Sequence, residues 1–304
     1  MKGITLLLLV LSHFVLGQNS ISLIQTPVRT EQIEVRFNYS MAKIPMFINN
    51  GMVFVKANLN DQQRIFMLDS GAPMLIINEK NIEENTIQAA GVAGAFQAGS
   101  VIAENFSWAG IEYRKIEAIS VDLSHLESST HLNIAGLIGY DILKNYEVFL
   151  DYENQQLALL NPGKGKLLQA TSPKETIEFT LDQHLPVLEV KIGGQTLRFA
   201  IDTGAGANLI DHKYQQLLAA GSFTSSEQET LRGVDQVVRP VTAAMVHDTQ
   251  VGKLHLPDMK YLFTDLSHLK TTTGLRIDGL LGYPFFQMTK CSVNYPKQKL
   301  YIWE

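Results

Sequence analysis

The same motifs occur twice along this chain, in the same order. FMLDSGA at residues 66–72 returns as FAIDTGA at 199–205, an offset of 202 − 69 = 133. DLSHL at 122–126 returns at 265–269, and GLIGYDIL at 136–143 returns as GLLGYPFF at 279–286, both at an offset of 279 − 136 = 143. The preserved order predicts two homologous halves with an insertion of 143 − 133 = 10 residues in the second. A unit this long indicates a duplicated domain, and two copies suit a pseudo-twofold arrangement.

Short runs rich in Val, Ile, Phe and Tyr dominate both halves, and long amphipathic helical patterns are scarce. Turn-forming Asn-Asp, Gly-Gly and Asn-Pro-Gly sequences separate these runs, which predicts an all-β chain, mainly strand with short helices. GGQT at 193–196 predicts a tight hairpin, and LNDQQ at 59–63 predicts a longer version of it. The segment 33–48 is expected to supply a strand equivalent to TIEFTLDQHLPVL at 176–188.

The first seventeen residues have the layout of a secretory signal peptide. Lys2 precedes an apolar run from Ile4, and small or polar residues follow at 17–20. This pattern predicts export to the periplasm or the outside of the cell, with an uncleaved N-terminal anchor as the alternative and no other membrane span. The predicted domains are therefore a signal peptide at 1–17, a first lobe at 18–160, a linker at 161–174 and a second lobe at 175–304.

Composition restricts the remaining classes of protein. Cys291 is the single cysteine, so no intramolecular disulfide can form and stability must come from core burial. Its alternating segment favours a small buried thiol over a nucleophile. The net charge of −5 becomes −6 when Lys2 is removed, and this surface offers no electrostatic footprint for nucleic acid or an anionic membrane.

An acid lies between apolar runs in each half. Asp69 follows IFML and Asp202 follows FAI, and Ser or Thr and then Gly come next in both places. A charged side chain there is costly unless it is paired, hydrogen-bonded or protonated. One copy would be read as a turn, because Asp, Ser and Gly all form turns. Two copies within repeated surroundings remove chance placement as an explanation.

The doubled D-[ST]-G-A motif, each copy followed by G-L-[IL]-G before a closing strand, resembles the pepsin-like and retropepsin-like aspartic peptidases. Among these it is most similar to the exported bacterial type with two lobes in one chain. The resemblance implies a bilobal β fold with pseudo-twofold symmetry, one catalytic aspartate per lobe and a peptide cleft between the lobes. The implied activity is that of an endopeptidase acting on a peptide or protein substrate, with no cofactor or metal ion.

The chemistry of such a pair accounts for the buried acids. Asp69 and Asp202, brought face to face, cannot both ionise at low cost, so they share a proton. One carboxylate then acts as base on a water molecule while the protonated one polarises the scissile carbonyl, and the pair titrates as a unit. Gly71 and Gly204 let backbone amides approach the carboxylates closely.

The resemblance also assigns supporting residues. Ser70 and Thr203 are expected to hydrogen-bond across the lobe interface. The glycines of the crossing strands are expected to allow close packing on the aspartate turns, the alternative being ordinary turn glycines; they are Gly136, Gly139, Gly279 and Gly282.

Ala72 and Ala205 lead to an expectation about pH. Pepsin-like relatives commonly carry a hydroxyl at this position, which can donate to the ionised carboxylate and lower its pKa. Neither alanine can donate from its side chain. The sequence therefore predicts activity at weakly acidic to near-neutral pH.

Several alternatives stay open from the sequence. The protein could be a catalytically silent relative that binds peptides or a protein partner in the cleft. Each half could also pair with a half of another chain, although the short linker favours pairing within one chain and a monomer. Flap hairpins are placed at 91–100 and 231–236, and His125 and His268, in the repeated DLSHL segments, are read as structural corners and not as metal ligands.

Overall fold

The fold was analysed in a computed structural model of the chain. It describes residues 3–5, 9–10, 31–33, 41–80, 86–91, 94–161, 172–233 and 238–304. The chain is mainly β, with two large sheets and short helices, which confirms the predicted fold class. None of the helices in these ranges is long and apolar enough to cross a membrane.

Thirteen strands and two helices come from the first half and the segment before it. The strands are β1 Gly3–Thr5, β2 Leu9–Val10, β3 Glu31–Ile33, β4 Met41–Asn49, β5 Met52–Leu59, β6 Gln62–Leu68, β7 Ile76–Asn78, β8 Thr86–Gly91, β9 Gly94–Trp108, β10 Ile111–Val121, β11 Ile134–Ile138, β12 Glu147–Asp151 and β13 Gln156–Leu160. The helices are α1 Ser124–Thr130 and α2 Tyr140–Leu143.

The second half contributes a matching series of elements. The strands are β14 Glu175–Glu178, β15 Thr180–Asp182, β16 Leu185–Ile192, β17 Gln195–Ile201, β18 Asn208–Asp211, β19 Phe223–Arg232, β20 Val238–Val246, β21 Thr249–Val251, β22 Leu254–Leu256, β23 Met259–Thr264, β24 Gly279–Leu281, β25 Lys290–Asn294 and β26 Lys299–Trp303. The helices are α3 Ser267–Thr273 and α4 Tyr283–Phe286, with a 3-10 helix at His212–Gln216.

Each half forms a sheet with the same strand order. In the first half the order is β5-β6-β11-β7-β10-β9-β8, and in the second it is β16-β17-β24-β18-β23-β20-β19. The first sheet continues through β4 into a central sheet of order β14-β26-β25-β12-β13-β4, which joins the two halves. Both halves therefore build one structural unit around shared strands.

The register of the central sheet relates the two halves by a twofold operation. β12 and β25 are antiparallel, with Phe149 opposite Ser292, and 292 − 149 = 143. Each of these residues thus faces its own counterpart in the repeat. The neighbouring pairs, Val148 with Val293 and Leu150 with Cys291, exchange under the same offset. The axis passes between β12 and β25, where Cys291 is fully buried and burial raises the pKa of its thiol to about 12.

The structure contains both hairpin turns that the sequence predicted, at 193–196 and at 59–63. Gly193 and Gly194 both adopt positive φ between β16 and β17, as a tight hairpin requires. The expectation of a longer loop in the first half was wrong. Asn60 and Asp61 also adopt positive φ, at 51° and 61°, and connect β5 to β6 with two residues. Asn and Asp tolerate this left-handed conformation better than other non-glycine residues.

The repeated DLSHL segments begin helices α1 and α3. The carboxylate of Asp122 accepts hydrogen bonds from the backbone N–H and hydroxyl of Ser124, and Asp265 accepts from the backbone N–H of Ser267. These bonds satisfy amide donors that a helix start leaves free. His125 lies in the first turn of α1 with its ring buried.

The predicted linker, flap segments and signal peptide lie partly outside the described residues. Residues 162–171 of the predicted linker lie outside the described residues, as do 234–236 of the second flap segment and 92–93 of the first. Only residues 3–5 and 9–10 of the predicted signal peptide are described; they pair with β19 and β8. The domain boundaries stay predictions. The flap segments lie on the β8–β9 and β19–β20 hairpins.

Strand β11 inserts between β6 and β7, parallel to the first and antiparallel to the second. Gly136 faces both neighbours, and an added β-carbon there would overlap the carbonyl oxygen of Ile76. Since a backbone carbonyl in a sheet cannot move aside alone, only glycine fits. In the second half, a β-carbon on Gly279 would lie 2.6 Å from the carbonyl oxygen of Leu209. Gly136 and Gly279 thus pack closely against β7 and β18, the equivalent strands of the two halves.

We predict that Gly136→Ala lowers the free energy of unfolding by about 3 kcal/mol or more, because the sheet must open to admit the methyl group. Gly110→Asn is the matched control: Gly110 has φ +82° and open space around its β-carbon position, and asparagine tolerates that conformation. We expect the control to change stability by less than about 1 kcal/mol. Urea denaturation of both variants measures this, and equal stabilities would contradict the packing account.

Candidate active site

Asp69 and Asp202 occupy equivalent places in the two halves, each just after a buried strand. Asp69 follows β6, and its N–H donates to the carbonyl oxygen of Ile138 at 3.0 Å. Asp202 follows β17, and its N–H donates to the carbonyl oxygen of Leu281, also at 3.0 Å. The crossing strands β11 and β24 therefore fix the backbone of both aspartates.

The chain beyond each crossing strand packs on the loop that follows the aspartate. Tyr140 N–H donates to the carbonyl oxygen of Ala72 at 2.8 Å, and Tyr283 N–H donates to that of Ala205 at the same distance. A β-carbon on Gly282 would lie 2.5 Å from the Ala205 carbonyl oxygen, and one on Gly139 would lie 2.7 Å from that of Ala72. Gly139 and Gly282 therefore lie directly against the loops that follow the aspartates.

Reciprocal hydrogen bonds join the two aspartate turns. Ser70 N–H donates to Thr203 Oγ1 at 3.0 Å, and Thr203 N–H donates to Ser70 Oγ at 2.9 Å. The Thr203 hydroxyl in turn donates to the carbonyl oxygen of Leu68 at 3.1 Å. These bonds lie between residues that the sequence expected to meet across the interface, and they hold the turns in one relative position.

The two carboxyls face each other across glycine residues. A β-carbon on Gly71 would lie 2.6 Å from Asp202 Oδ2, and one on Gly204 would overlap Asp69 Oδ1. The Oδ1 atoms of the two aspartates are the inner oxygens of the pair, and the Oδ2 atoms are the outer ones. Gly71 N–H donates to both inner oxygens, at 2.9 Å to Asp69 Oδ1 and 3.0 Å to Asp202 Oδ1. Gly204 N–H donates to Asp202 Oδ1 at 2.8 Å. Only glycine permits this approach, as expected from the sequence.

Each carboxyl has one oxygen held by amides and one that is not. Asp69 Oδ2 and Asp202 Oδ2 are both buried, and neither has a hydrogen-bond partner among the described residues. A buried carboxyl oxygen without a donor destabilises the ionised form. The two outer oxygens are therefore the places where the pair holds a proton or contacts a reactant.

Burial controls the ionisation of this pair. Both side chains are completely inaccessible to solvent. Burial raises the pKa of Asp69 well above its usual range, and the negative charge of Asp202 raises it further. Burial also raises the pKa of Asp202, against the opposing hydrogen bonds from Gly204 and Gly71. The pair therefore retains a shared proton at a pH where an exposed carboxyl would be ionised.

Ala72 and Ala205 contribute backbone groups to the site and no side-chain donor. Their methyl groups are fully buried in the apolar clusters of the two halves. Each alanine N–H donates to the main-chain oxygen of its aspartate, at 3.2 Å for Ala72 and 3.3 Å for Ala205, and Ala72 N–H also donates to Asp69 Oδ1 at 3.2 Å. The two aspartates thus receive different sets of donors.

Sequence reasoning missed the tyrosines beneath the pair. Tyr152 and Tyr295 are equivalent, since 295 − 152 = 143, and both are buried. Burial raises the pKa of both hydroxyls, and the charge of Asp202 adds to the effect. A hydrogen bond joins Ser70 to the Tyr295 hydroxyl. The tyrosine conserved between the two repeats was the signal that could have indicated them.

One group of metal-ligating side chains occurs in the described part of the chain. Ligand atoms of Asp211, His212 and Asp265 lie within 4.8 Å of one another. The Lys213 ammonium already contacts Asp211 Oδ2 at 3.3 Å and supplies a positive charge there. We assign no metal ion to this group.

A mainly-β fold with two buried carboxyls at equivalent strand ends is the arrangement of aspartic proteases. Residues 188–285 match the family described as aspartyl protease, and this part of the chain is a retropepsin-like domain of that family. The match includes Asp202, Thr203 and Gly204 and covers 285 − 188 + 1 = 98 of 304 residues. No curated protein matches the chain.

The raised pKa values predict how stability depends on pH. Because the folded pKa of the pair lies above the unfolded value, the folded state binds more protons, and stability falls as pH rises from about 4 towards the folded pKa. We therefore expect Asp202→Asn to raise the free energy of unfolding at pH 7 by about 1 to 3 kcal/mol, and by much less at pH 4.

Asp265→Asn is the control of opposite sign. Hydrogen bonds from Ser267 lower the pKa of Asp265, so its ionised form stabilises the fold above the unfolded pKa. We expect this variant to be less stable than wild type at pH 7. Denaturation at both pH values measures the two effects, and a destabilised Asp202→Asn at pH 7 would refute the burial argument.

Proposed function

We propose that the protein is an aspartic endopeptidase whose active site combines Asp69 and Asp202. The observation that carries this proposal is the pair of facing, fully buried carboxyls, each with an outer oxygen (Oδ2) that has no hydrogen-bond partner among the described residues. Stability alone gives no reason to bury two mutually repelling acids. The aspartyl protease domain at residues 188–285 supplies one of the two.

The proposed mechanism uses one shared proton. A water molecule bound between the outer oxygens loses a proton to the ionised carboxylate and attacks the scissile carbonyl carbon. The protonated carboxyl donates a hydrogen bond to the carbonyl oxygen, where negative charge develops. Gly71 N–H, which donates to both inner oxygens, binds the two carboxyls to one backbone amide.

The β8–β9 and β19–β20 hairpins provide the proposed substrate-binding edges. β8 and β9 contact α3 of the other half, and the charge of Arg232 on β19 acts on His125 in α1. The outer edges of β8 and β19 pair with short extended strands, β2 and β1. An extended substrate peptide would add to these edges in the same manner once residues 1–17 are removed.

Three further properties belong to this proposal. The matched strand orders and the twofold register of β12 and β25 support an internal duplication. The layout of residues 1–17 supports export, to the periplasm or beyond. The reciprocal hydrogen bonds between Ser70 and Thr203, which join the two halves of one chain, support a monomer that contains one complete site.

The rival proposal is a silent relative that binds peptides or a protein partner without cleaving them. Such a protein would bind peptides at the same hairpins and in the same cleft as the proposed peptidase. It would differ only in that the two carboxyls do not catalyse hydrolysis. Cleavage itself is therefore the distinguishing measurement.

We predict that Asp69→Asn and Asp202→Asn each reduce peptide cleavage on the order of 10³-fold or more, since a single carboxyl cannot serve as both base and proton donor. The assay is incubation with a denatured protein mixture across pH, followed by mass analysis of the peptides. The double variant should lose little more than either single one.

Thermal melts must show that both variants remain folded, and Asp265→Asn serves as the control carboxylate away from the pair. Full activity in either single variant would remove the pair from the mechanism. A folded wild type that binds peptides and cleaves none would favour the silent relative.

We also predict a bell-shaped profile of kcat/KM displaced towards neutral pH. The active form carries one proton on the pair, and burial raises the pKa of both carboxyls. Ala72→Ser combined with Ala205→Thr should move the alkaline limb to lower pH if either new hydroxyl donates to a carboxylate. A wild type active only in strong acid would contradict this account.

A further inference from the structure

His184 contacts the active-site loop of the opposite half. It lies in the two-residue turn between β15 and β16, and its ring is buried, with 6 % of the residue exposed. Its Nε2 is 2.8 Å from the carbonyl oxygen of Gly71. A carbonyl oxygen only accepts hydrogen bonds, so Nε2 must carry the proton and donate it.

The peptide group that receives this bond also binds the carboxyl pair. The Gly71 carbonyl belongs to the Gly71–Ala72 peptide, whose N–H is shared between Asp69 Oδ1 and the main-chain oxygen of Asp69, both at 3.2 Å. A donor on the oxygen of a peptide polarises the group and makes its N–H a stronger donor. His184, one peptide group and Asp69 therefore form a continuous hydrogen-bonded chain.

The first half has no side chain at the position equivalent to His184. The position equivalent to His184 is Gly51, since 184 − 51 = 133, in the turn between β4 and β5. A β-carbon on Gly51 would lie 2.8 Å from Cγ of Tyr283. Next to His184 stands the equivalent tyrosine of the first half, Tyr140, which leaves room for an imidazole, and the two rings lie 6.1 Å apart. The histidine is thus accommodated on one side of the pseudo-twofold axis alone.

We propose that His184 is a positioning residue that holds the Gly71–Ala72 peptide against Asp69 and so makes the two catalytic carboxyls inequivalent. This inference rests on the proposed peptidase function. By strengthening the donor to Asp69 Oδ1, His184 stabilises the ionised state of the pair. Among the described residues, Tyr152 and Tyr295 also face the pair, and burial raises the pKa of both hydroxyls and so keeps them neutral.

The test compares a variant that retains a donor with one that does not. His184→Gln places an amide N–H near the position of Nε2, whereas His184→Phe fills the space without a donor. We expect His184→Phe to lower kcat about tenfold with little change in KM, and His184→Gln to retain most of kcat. The alkaline limb of the kcat profile should move to higher pH in His184→Phe, because the ionised pair has lost a strong donor.

Two controls distinguish a positioning role of His184 from a simple loss of folded protein. His255→Gln removes an exposed imidazole on the β21–β22 hairpin and should match wild type. Thermal melts and titration of the active fraction correct kcat for unfolded protein. Equal kcat and equal pH limbs in wild type and His184→Phe would overturn the proposal while leaving the peptidase function intact.

A second readout does not depend on cleavage. Carbon-13 NMR titration of labelled aspartates, assigned with Asp69→Asn and Asp202→Asn, reports the ionisation of the pair directly. We expect a higher apparent pKa of the pair in His184→Phe than in wild type, with His184→Gln close to wild type. If the wild type cleaves nothing, the peptidase proposal fails and this titration still decides the role of His184: an unmoved pKa refutes it.

Discussion

Two acids are buried against each other where the halves of the chain meet, and much of the surrounding structure keeps them in that position. Neither carboxyl is accessible to solvent, and amide donors reach only the inner oxygen of each. In such surroundings a second negative charge is far more costly than the first, so the pair retains one proton. Burying the pair therefore costs free energy of folding near neutral pH, and carboxyls with such strongly raised pKa values cluster at functional sites.

The backbone provides the rigidity that the pair requires. Crossing strands β11 and β24 bind the main chain of each aspartate, and glycines admit contacts that no side chain would allow. Reciprocal bonds between Ser70 and Thr203 then set the separation of the two turns. Because these contacts come from strands buried within both sheets, a small displacement of one carboxyl would disturb the packing of its whole half.

The two halves are similar in fold and different in detail around the acids. Tyr295 hydrogen-bonds Ser70, whereas the Thr203 hydroxyl donates to a backbone carbonyl. His184 lies beside Tyr140, and Gly51 lies at the equivalent place beside Tyr283. In the proposed function one carboxyl acts as acid and the other as base, and differences of this kind between the two halves would separate those roles. The differences lie in residues adjoining the aspartates, while the aspartate motifs themselves stay alike.

The sequence by itself determined the β class, the repeated halves, the two acids and the glycines beside them, because motif order and spacing are properties of the linear chain. It predicted the Gly193–Gly194 turn and misjudged Asn60–Asp61, whose left-handed conformation follows from the pairing of β5 with β6. Only the tertiary structure decided which donors reach each carboxyl and that His184 contacts Gly71, 113 positions away. Contacts between such distant residues depend on how the strands of both halves pack, and they leave no periodic or local pattern in the sequence.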